Sequence, residues 1–251
     1  SSLRRGVERE EFEVYYQPII SLTTGKVASF EALVRWRHPQ LGTVAPSRFI
    51  PVAEETGLIV PIGEQILGMV CAQWREWHLA ELQPPPICVN VSAVQFRSPD
   101  IANRLSHIVA EAGVPAAAIE LELTESALMQ NCEHTLSTLE TLASRGFQLS
   151  IDDFGTGYSS LAYLKRFPVS KLKVDRSFIK DMTEDRDDEA IVATVIALSR
   201  TLGLAVVAEG AETIAQIERL KAMGCDSVQG FFYARPAPAD QIAAAFLHRI
   251  I

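Results

Sequence analysis

The sequence predicts an α/β protein folded as a closed (β/α)8 barrel with one antiparallel strand near its N-terminus. Three observations lead there. Eight short stretches rich in β-branched and aromatic residues are bounded by turn residues, at about 12–20, 27–36, 87–92, 119–124, 147–151, 171–175, 205–208 and 227–230. Between most of them run segments with apolar residues at helical spacing, clearest over 61–80, 101–112, 132–145, 189–202 and 213–223. The chain has 251 residues, 48% of them hydrophobic, enough for one large core of this kind. Alternating strands and helices imply parallel pairing through right-handed crossovers, and eight strands in this length favour closure over an open sheet.

Taken in order, the opening SSLRRGVEREEF is charged and reads as an amphipathic helix over about 3–12, not as a secretory leader. We expect one domain over 1–251, cut from a longer chain, with 1–11 as a linker helix. The first two strands are joined only by residues 21–26, with Thr-Gly at the turn. That is too short for a crossover helix, so a hairpin is expected, and with it the one antiparallel strand. Three of the later helices run into Gly113, Gly146 and Gly224, which suits a residue in the left-handed region just past the last turn. The longest apolar stretch, 190–198, is broken by Ser199 and Arg200 and cannot span a bilayer. Cys71, Cys88, Cys132 and Cys225 are far apart and form no CxxC pair, so buried reduced thiols are expected. Reduced thiols fit a cytoplasmic domain, whether or not a parent chain is tethered to a membrane.

Net charge is −8, from 31 acidic and 23 basic residues. A basic footprint for duplex nucleic acid is therefore excluded. A phosphate ligand has to be held locally, by metal ions or a few placed cations.

Most strands carry or end in a charged or amide residue: Glu31, Asn90, Glu122, Asp152 with Asp153, Lys173, Glu209 and Gln229. One such residue is an ordinary polar group at a barrel rim. Seven strands in agreement match an active site assembled from strand ends. Carboxylates converging in one cup repel each other unless cations lie between them. Their hard oxygen donors suit Mg²⁺ or Mn²⁺ rather than zinc, and His38, His78, His107, His134 and His248 show no paired metal spacing. Adjacent Asp152 and Asp153 could offer a carboxylate to each of two metals. Two ions roughly 3.5–4 Å apart clamp the attacking and leaving oxygens of a phosphodiester. Lys173 could hold a water nucleophile or a phosphoryl oxygen. This set points to metal-dependent phosphodiester hydrolysis.

Other features carry less. The run Phe154-Gly-Thr-Gly-Tyr158-Ser-Ser160 lacks the third glycine of a dinucleotide fingerprint, and reads equally as a plain strand-to-helix turn or as a loop that moves with ligand. Ser92, Ser126 and Ser159 have no convincing triad partners. Trp36, Trp74 and Trp77 read as core or interface. Arg35, four residues after Glu31, is the better phosphate-binding candidate among the basic residues.

These residues together resemble the EAL-domain phosphodiesterases of bacterial cyclic di-GMP signalling. Glu31-Ala32-Leu33, continued by Val34-Arg35-Trp36, matches the motif that names the family. Tyr16-Gln-Pro-Ile19, Phe49-Ile-Pro51, Asn90-Val-Ser92, Glu122-Leu-Thr-Glu125, Asp152 to Ser160, Lys173-Val-Asp175, Glu209-Gly-Ala-Glu212 and Gln229-Gly-Phe231 follow in order and spacing over essentially the whole chain. One position departs, Ala211 where valine is usual. The resemblance implies a (β/α)8, TIM-like barrel that hydrolyses one phosphodiester of cyclic di-GMP to linear 5′-pGpG, using two divalent metals, Mg²⁺ or Mn²⁺, with Ca²⁺ inhibitory. It implies Glu31, Asn90, Glu122 and Asp152 as ligands of the first metal, and Asp152 and Asp153 of the second, with Glu209 close by. It gives Lys173 the positioning of the water, and Glu209 is the preferred general base. Gln17, Leu33, Arg35, Asn90, Asp175 and Gln229 are implied as substrate contacts, and Glu125 as the anchor of the Asp-Phe-Gly loop. It also implies a homodimer and an upstream diguanylate-cyclase-like (GGDEF) or sensory domain. Two other readings are a catalytically silent cyclic di-GMP receptor, which loss of ligands or of Glu125 would mark, and a protein-interaction module.

Overall fold

β-branched and aromatic residues dominate the segments that form strands in the computed structural model, which describes residues 2–129, 132–157 and 161–247. The strands are β1 (Phe12–Ser21), β2 (Val27–His38), β3 (Gly42–Val44), β4 (Ile87–Asn90), β5 (Ile119–Thr124), β6 (Gln148–Phe154), β7 (Lys171–Val174), β8 (Ala205–Glu209) and β9 (Ser227–Gln229). Their order is β1-β9-β8-β7-β6-β5-β4-β2, and β1 pairs with β2 to close the ring of eight. The short β3 hangs on the far end of β2 as an antiparallel edge. Pairings from β2 through β4 to β9 are parallel, whereas β1 runs antiparallel to both β2 and β9. The expected hairpin is there: Ser21 N–H donates to Lys26 O at 2.9 Å and Gly25 N–H to Ser21 O at 2.8 Å.

Strand alternation sorts side chains into two environments. On β5, Ile119, Leu121 and Leu123 pack into the large core shared with the helices, while Glu120 and Glu122 alternate with them and turn inward. Inside the barrel the apolar content is a small separate cluster, Ile19, Cys88 and Val207. Polar groups share this interior, among them the Lys171–Glu120 ion pair at 2.6 Å, with Glu120 buried and Lys171 half-buried.

Helices over Ile59–Leu79, Ile101–Glu111, Cys132–Ser144, Arg186–Leu202 and Ile214–Met223 fall where periodicity places them. Gly224 closes the last of these at φ 76°, in the left-handed region open to glycine. A further helix, Pro46–Glu55, starts on a proline in its first turn and buries Phe49 and Ala53, one turn apart. The N-terminal helix is shorter than expected, Ser2–Glu8 rather than about 3–12. Glu10 turns the chain at φ 54°, and Phe12, which is buried, opens β1. This helix docks on the barrel: Gln65 Nε2 donates to Val7 O at 3.0 Å, and Trp36 Nε1 to Glu11 Oε2 at 3.0 Å. Cys71, Cys88 and Cys225 are free and buried, and the Cys132 side chain lies outside the described residues. Among the described residues no helix is long and apolar enough to cross a membrane.

Gly230 follows β9, and a Cβ there would collide with the backbone N and O of Ala211, just past β8. Gly230→Ala therefore has to separate these strand ends. Overpacking of this sort costs roughly 1–3 kcal/mol, to be read as a drop of about 2–4 °C in Tm per kcal/mol in thermal melts; an unchanged Tm would show that the strand ends part freely.

Candidate active site

On β7, Leu172 and Val174 face the helices, so alternation turns Lys173 into the barrel, where it is fully buried. Its Nζ donates to Glu122 Oε2 at 2.9 Å and lies 2.6 Å from Glu209 Oε1, 3.4 Å from Glu31 Oε2 and 3.5 Å from Asp152 Oδ1. One ammonium thus stands among carboxylates from four different strands. Glu31 sits mid-strand on β2, in register with Gln17 of β1 and Cys88 of β4. Its carboxylate accepts from Asn90 Nδ2 at 2.9 Å and from Gln229 Nε2 at 2.6 Å, and Gln229 also donates to Gln17 Oε1 at 2.9 Å. Gln17 Nε2 in turn donates to Ala234 O at 3.0 Å. A chain of amides therefore fixes the Glu31 carboxylate beside the lysine.

Asp152 and Asp153 are adjacent on β6, and a regular strand would aim them at opposite faces. The register between β6 and β7 shifts between Ile151 and Phe154, and Asp153 has φ 53°. This bulge breaks the alternation. One carboxylate oxygen from each of Asp152, Asp153 and Glu209 then lies within 4.8 Å of the others, a spacing able to hold a metal ion. Behind the bulge, Glu125 Oε2 accepts from Gly155 N–H at 2.9 Å, and the glycine at 157 packs against the same carboxylate. Asp175 faces Asp153 and caps the helix Arg176–Lys180, accepting from Ser177 N–H at 3.0 Å and from the Ser177 hydroxyl.

Gln17, Glu31, Leu33, Asp152, Glu209 and Gln229 line a cleft of about 810 Å³ at this end of the barrel. Asn90 is exposed at the end of β4. Arg35 is not in the lining: its guanidinium donates to Val34 O at 2.9 Å and stands over the Tyr15 ring at 5.3 Å. The cleft also takes in Arg176, Lys180, Glu212, Phe231 and Pro236, which sequence reasoning passed over. The usable signal was position, since Arg176 follows the Lys173–Asp175 motif directly and Phe231 ends the Gln229 motif. Ser92 caps a short helix in a capping box with Gln95. Trp36 and Trp77 are buried in the core. Tyr158, Ser159, Ser160 and His248 lie outside the described residues.

The family model for the EAL domain matches residues 1–236. The chain belongs to the EAL domain family. It is 46% identical over 243 residues to the bifunctional diguanylate cyclase/cyclic di-GMP phosphodiesterase MucR of Pseudomonas aeruginosa, covering 97% of this chain and 36% of MucR. It is 44% identical over 236 residues to the cyclic di-GMP phosphodiesterase NbdA of the same organism, covering 94% of this chain and 30% of NbdA. The solved structure of the PaMucR phosphodiesterase in complex with c-di-GMP superposes with a TM-score of 0.93 at 46% identity, covering 96% of this chain and 98% of that one. The chain spans about a third of the length of these curated relatives.

Charge in the cup of this EAL domain is unbalanced. Burial works against the Lys173 ammonium, but Glu122, Glu209, Glu31 and Asp152 outweigh it and hold its pKa well above the ordinary lysine range. Burial also raises Glu31, yet Lys173, Gln229 and Asn90 together bring it below the usual carboxylate range. The other acids have no such support. Burial, with Asp152 and Glu31, pushes Glu209 up to about 8 despite Lys173. Burial outweighs Lys173 at Glu122 as well, and it combines with Asp152 and Asp175 to bring Asp153 to about 6. Hard oxygen donors carrying excess negative charge fit divalent cations of the Mg²⁺ and Mn²⁺ type.

A carboxyl raised on folding binds more protons in the folded than in the unfolded state, so stability falls as pH rises. For Glu209 and Asp153 the window runs from their ordinary range near pH 4 up to about 8. Melting in EDTA should therefore show Tm falling between pH 5 and 8, and saturating Mn²⁺ should remove most of that fall. A flat profile in EDTA would contradict this account of the charge.

Proposed function

We propose that this EAL domain hydrolyses one phosphodiester bond of cyclic di-GMP to linear 5′-pGpG, with two divalent cations, Mg²⁺ or Mn²⁺, as resident cofactors. The observation that carries the reading is Lys173 buried among the carboxylates of Glu31, Glu122, Asp152 and Glu209 at the strand ends. Family membership and the cyclic di-GMP phosphodiesterase names of its relatives support it.

In this reading Glu31, Asn90, Glu122 and Asp152 hold one cation, and Asp152 and Asp153 the other, with Glu209 beside it. Bound there, the cations would supply Lewis acidity to the attacking water and positive charge to the phosphoryl oxygens. Lys173 donates to the water and orients it, fixed by the carboxylates around it. Glu209 takes the water's proton; its carboxylate stands 2.6 Å from Lys173 and within the Asp152–Asp153 group. The water oxygen bonds to phosphorus, the bond to the 3′ oxygen breaks, and that oxygen takes a proton from solvent, so that a 5′-phosphate and a 3′-hydroxyl result. Gln17, Leu33, Asn90, Asp175 and Gln229 contact the dinucleotide, Arg35 turns from its rest on the Tyr15 ring to reach a phosphate, and Glu125 anchors the loop after β6 through Gly155. We further propose a cytoplasmic domain over 1–251 that pairs with a second copy and belongs to a longer chain with an upstream GGDEF or sensory domain.

Chromatography of cyclic di-GMP incubated with the domain should show pGpG with Mg²⁺ or Mn²⁺ and none with EDTA. Ca²⁺, which prefers higher coordination numbers, should bind without supporting turnover. Glu31→Ala should bring hydrolysis below detection with the fold intact, and Lys173→Met should lower kcat by about 10²–10³-fold. Wild-type turnover in Glu31→Ala would sink the metal assignment.

A further inference from the structure

The loops that follow β7 and β8, neighbouring strands of the barrel, carry adjacent parts of the cup, Asp175 on one and Glu209 at the head of the other. One buried side chain, Gln216 on the helix Ile214–Met223, joins them. Its Nε2 donates to Ile179 O and Lys180 O, each at 3.0 Å. Its Oε1 accepts from Glu212 N–H at 2.7 Å and Thr213 N–H at 2.9 Å. The two carbonyls belong to the last residues of the helix Arg176–Lys180, whose cap, Asp175, faces Asp153. The two N–H groups open the next helix, directly after Glu209-Gly210-Ala211. Helix ends leave such groups without intrahelical partners, and this one amide satisfies both sets.

Capping alone does not explain the residue. Glu or Gln at this third helical position both close a capping box through an acceptor oxygen. Only an amide of this length also supplies the donor that reaches the neighbouring loop. The two loops touch a second time where Gly210 passes Arg176, whose Cβ would lie 2.6 Å from a Cβ at 210. The Gln216 bridge and this contact fix how far the Glu209 side stands from the Lys173–Asp175 side. The carboxylate group of Asp152, Asp153 and Glu209 spans that gap.

We infer that Gln216 is a positioning residue that sets the spacing of the Asp152–Asp153–Glu209 group, and so its affinity for a divalent cation, by clamping the β7 and β8 loops together. The inference rests on the proposed metal-dependent hydrolysis. Partners that orient metal ligands typically change affinity by about 10–100-fold when removed.

The test compares wild type with Gln216→Met, which keeps the length but neither hydrogen-bonding end, and Gln216→Glu, which keeps the capping acceptor and loses the bridging donor. Mn²⁺ binding is measured by calorimetry, and the half-activating Mn²⁺ concentration and the KM for cyclic di-GMP by kinetics. Leu105→Ala, which opens a cavity under the helix Ile101–Glu111 behind β4 and β5, controls for loss of stability. Both Gln216 variants should weaken Mn²⁺ binding by about 10-fold, with KM at saturating Mn²⁺ nearly unchanged. The Glu variant should melt closer to wild type than the Met variant, and Leu105→Ala should lower Tm without moving the Mn²⁺ midpoint. Wild-type Mn²⁺ affinity in Gln216→Glu, or no Mn²⁺ binding by the wild-type protein, would overturn the inference. Wild-type protein that binds Mn²⁺ yet leaves cyclic di-GMP intact overturns the functional reading alone, and calorimetry of the variants still decides for or against the bridge.

Discussion

A single buried ammonium has to serve more carboxylates than it can neutralise. Lys173 has no exposure to solvent, and acids from β2, β5, β6 and β8 crowd it. Uncompensated buried charge costs several kcal/mol per ion, so an arrangement like this persists only where neutral donors and bound cations share the load. The amides of Asn90 and Gln229 donate to Glu31, with Gln17 holding Gln229 in place, and together with Lys173 they bring Glu31 below the usual carboxylate range. Glu122, Glu209 and Asp153 are left short of positive charge. The fold thus tolerates at its mouth an electrostatic deficit that a bound cation would relieve.

Holding such a group open requires backbone that does not relax. Two devices do this where the acids are densest. The bulge in β6 keeps Asp153 in the left-handed region, a conformation that persists in a non-glycine residue only when its surroundings enforce it. Glu125 ties down the chain just beyond it at Gly155, and the Asp175 cap packs on its other side. Strain and anchor occur within a few residues of each other, as expected where the geometry of ligands matters more than the comfort of the strand.

Much of this is visible in one dimension because the barrel repeats one rule. Polar residues at successive strand ends converge wherever strands are parallel and closed, so Glu31, Asn90, Glu122, Lys173, Glu209 and Gln229 could be grouped without coordinates. The short link over 21–26 likewise dictated the inverted β1. What stayed hidden depends on contacts distant in the chain. Nothing in the letters Asp152-Asp153 says that the second residue adopts positive φ, since that follows from the register against β7. Gln216 looks like an ordinary capping partner until Ile179 is found beside it. Helix periodicity through Arg9 and Glu10 suggested a longer first helix, but burial of Phe12 in the barrel core won over local propensity.

The inverted first strand exchanges the two ends of the barrel for everything ahead of it. Phe12 lies opposite Trp36, past Glu31 towards the open rim, so the polypeptide arrives at the mouth and not at the floor. The helix Ser2–Glu8 sits there too, with Gly6 pressed so closely on the Trp36 indole that a Cβ would come within 2.8 Å of its nitrogen. Five residues separate Trp36 from Glu31, about 17 Å along one continuous strand. The helix Ser2–Glu8 and the Glu31 carboxylate are thus carried by the two ends of one continuous stretch of β2, with Trp36 as the point where the helix rests on it.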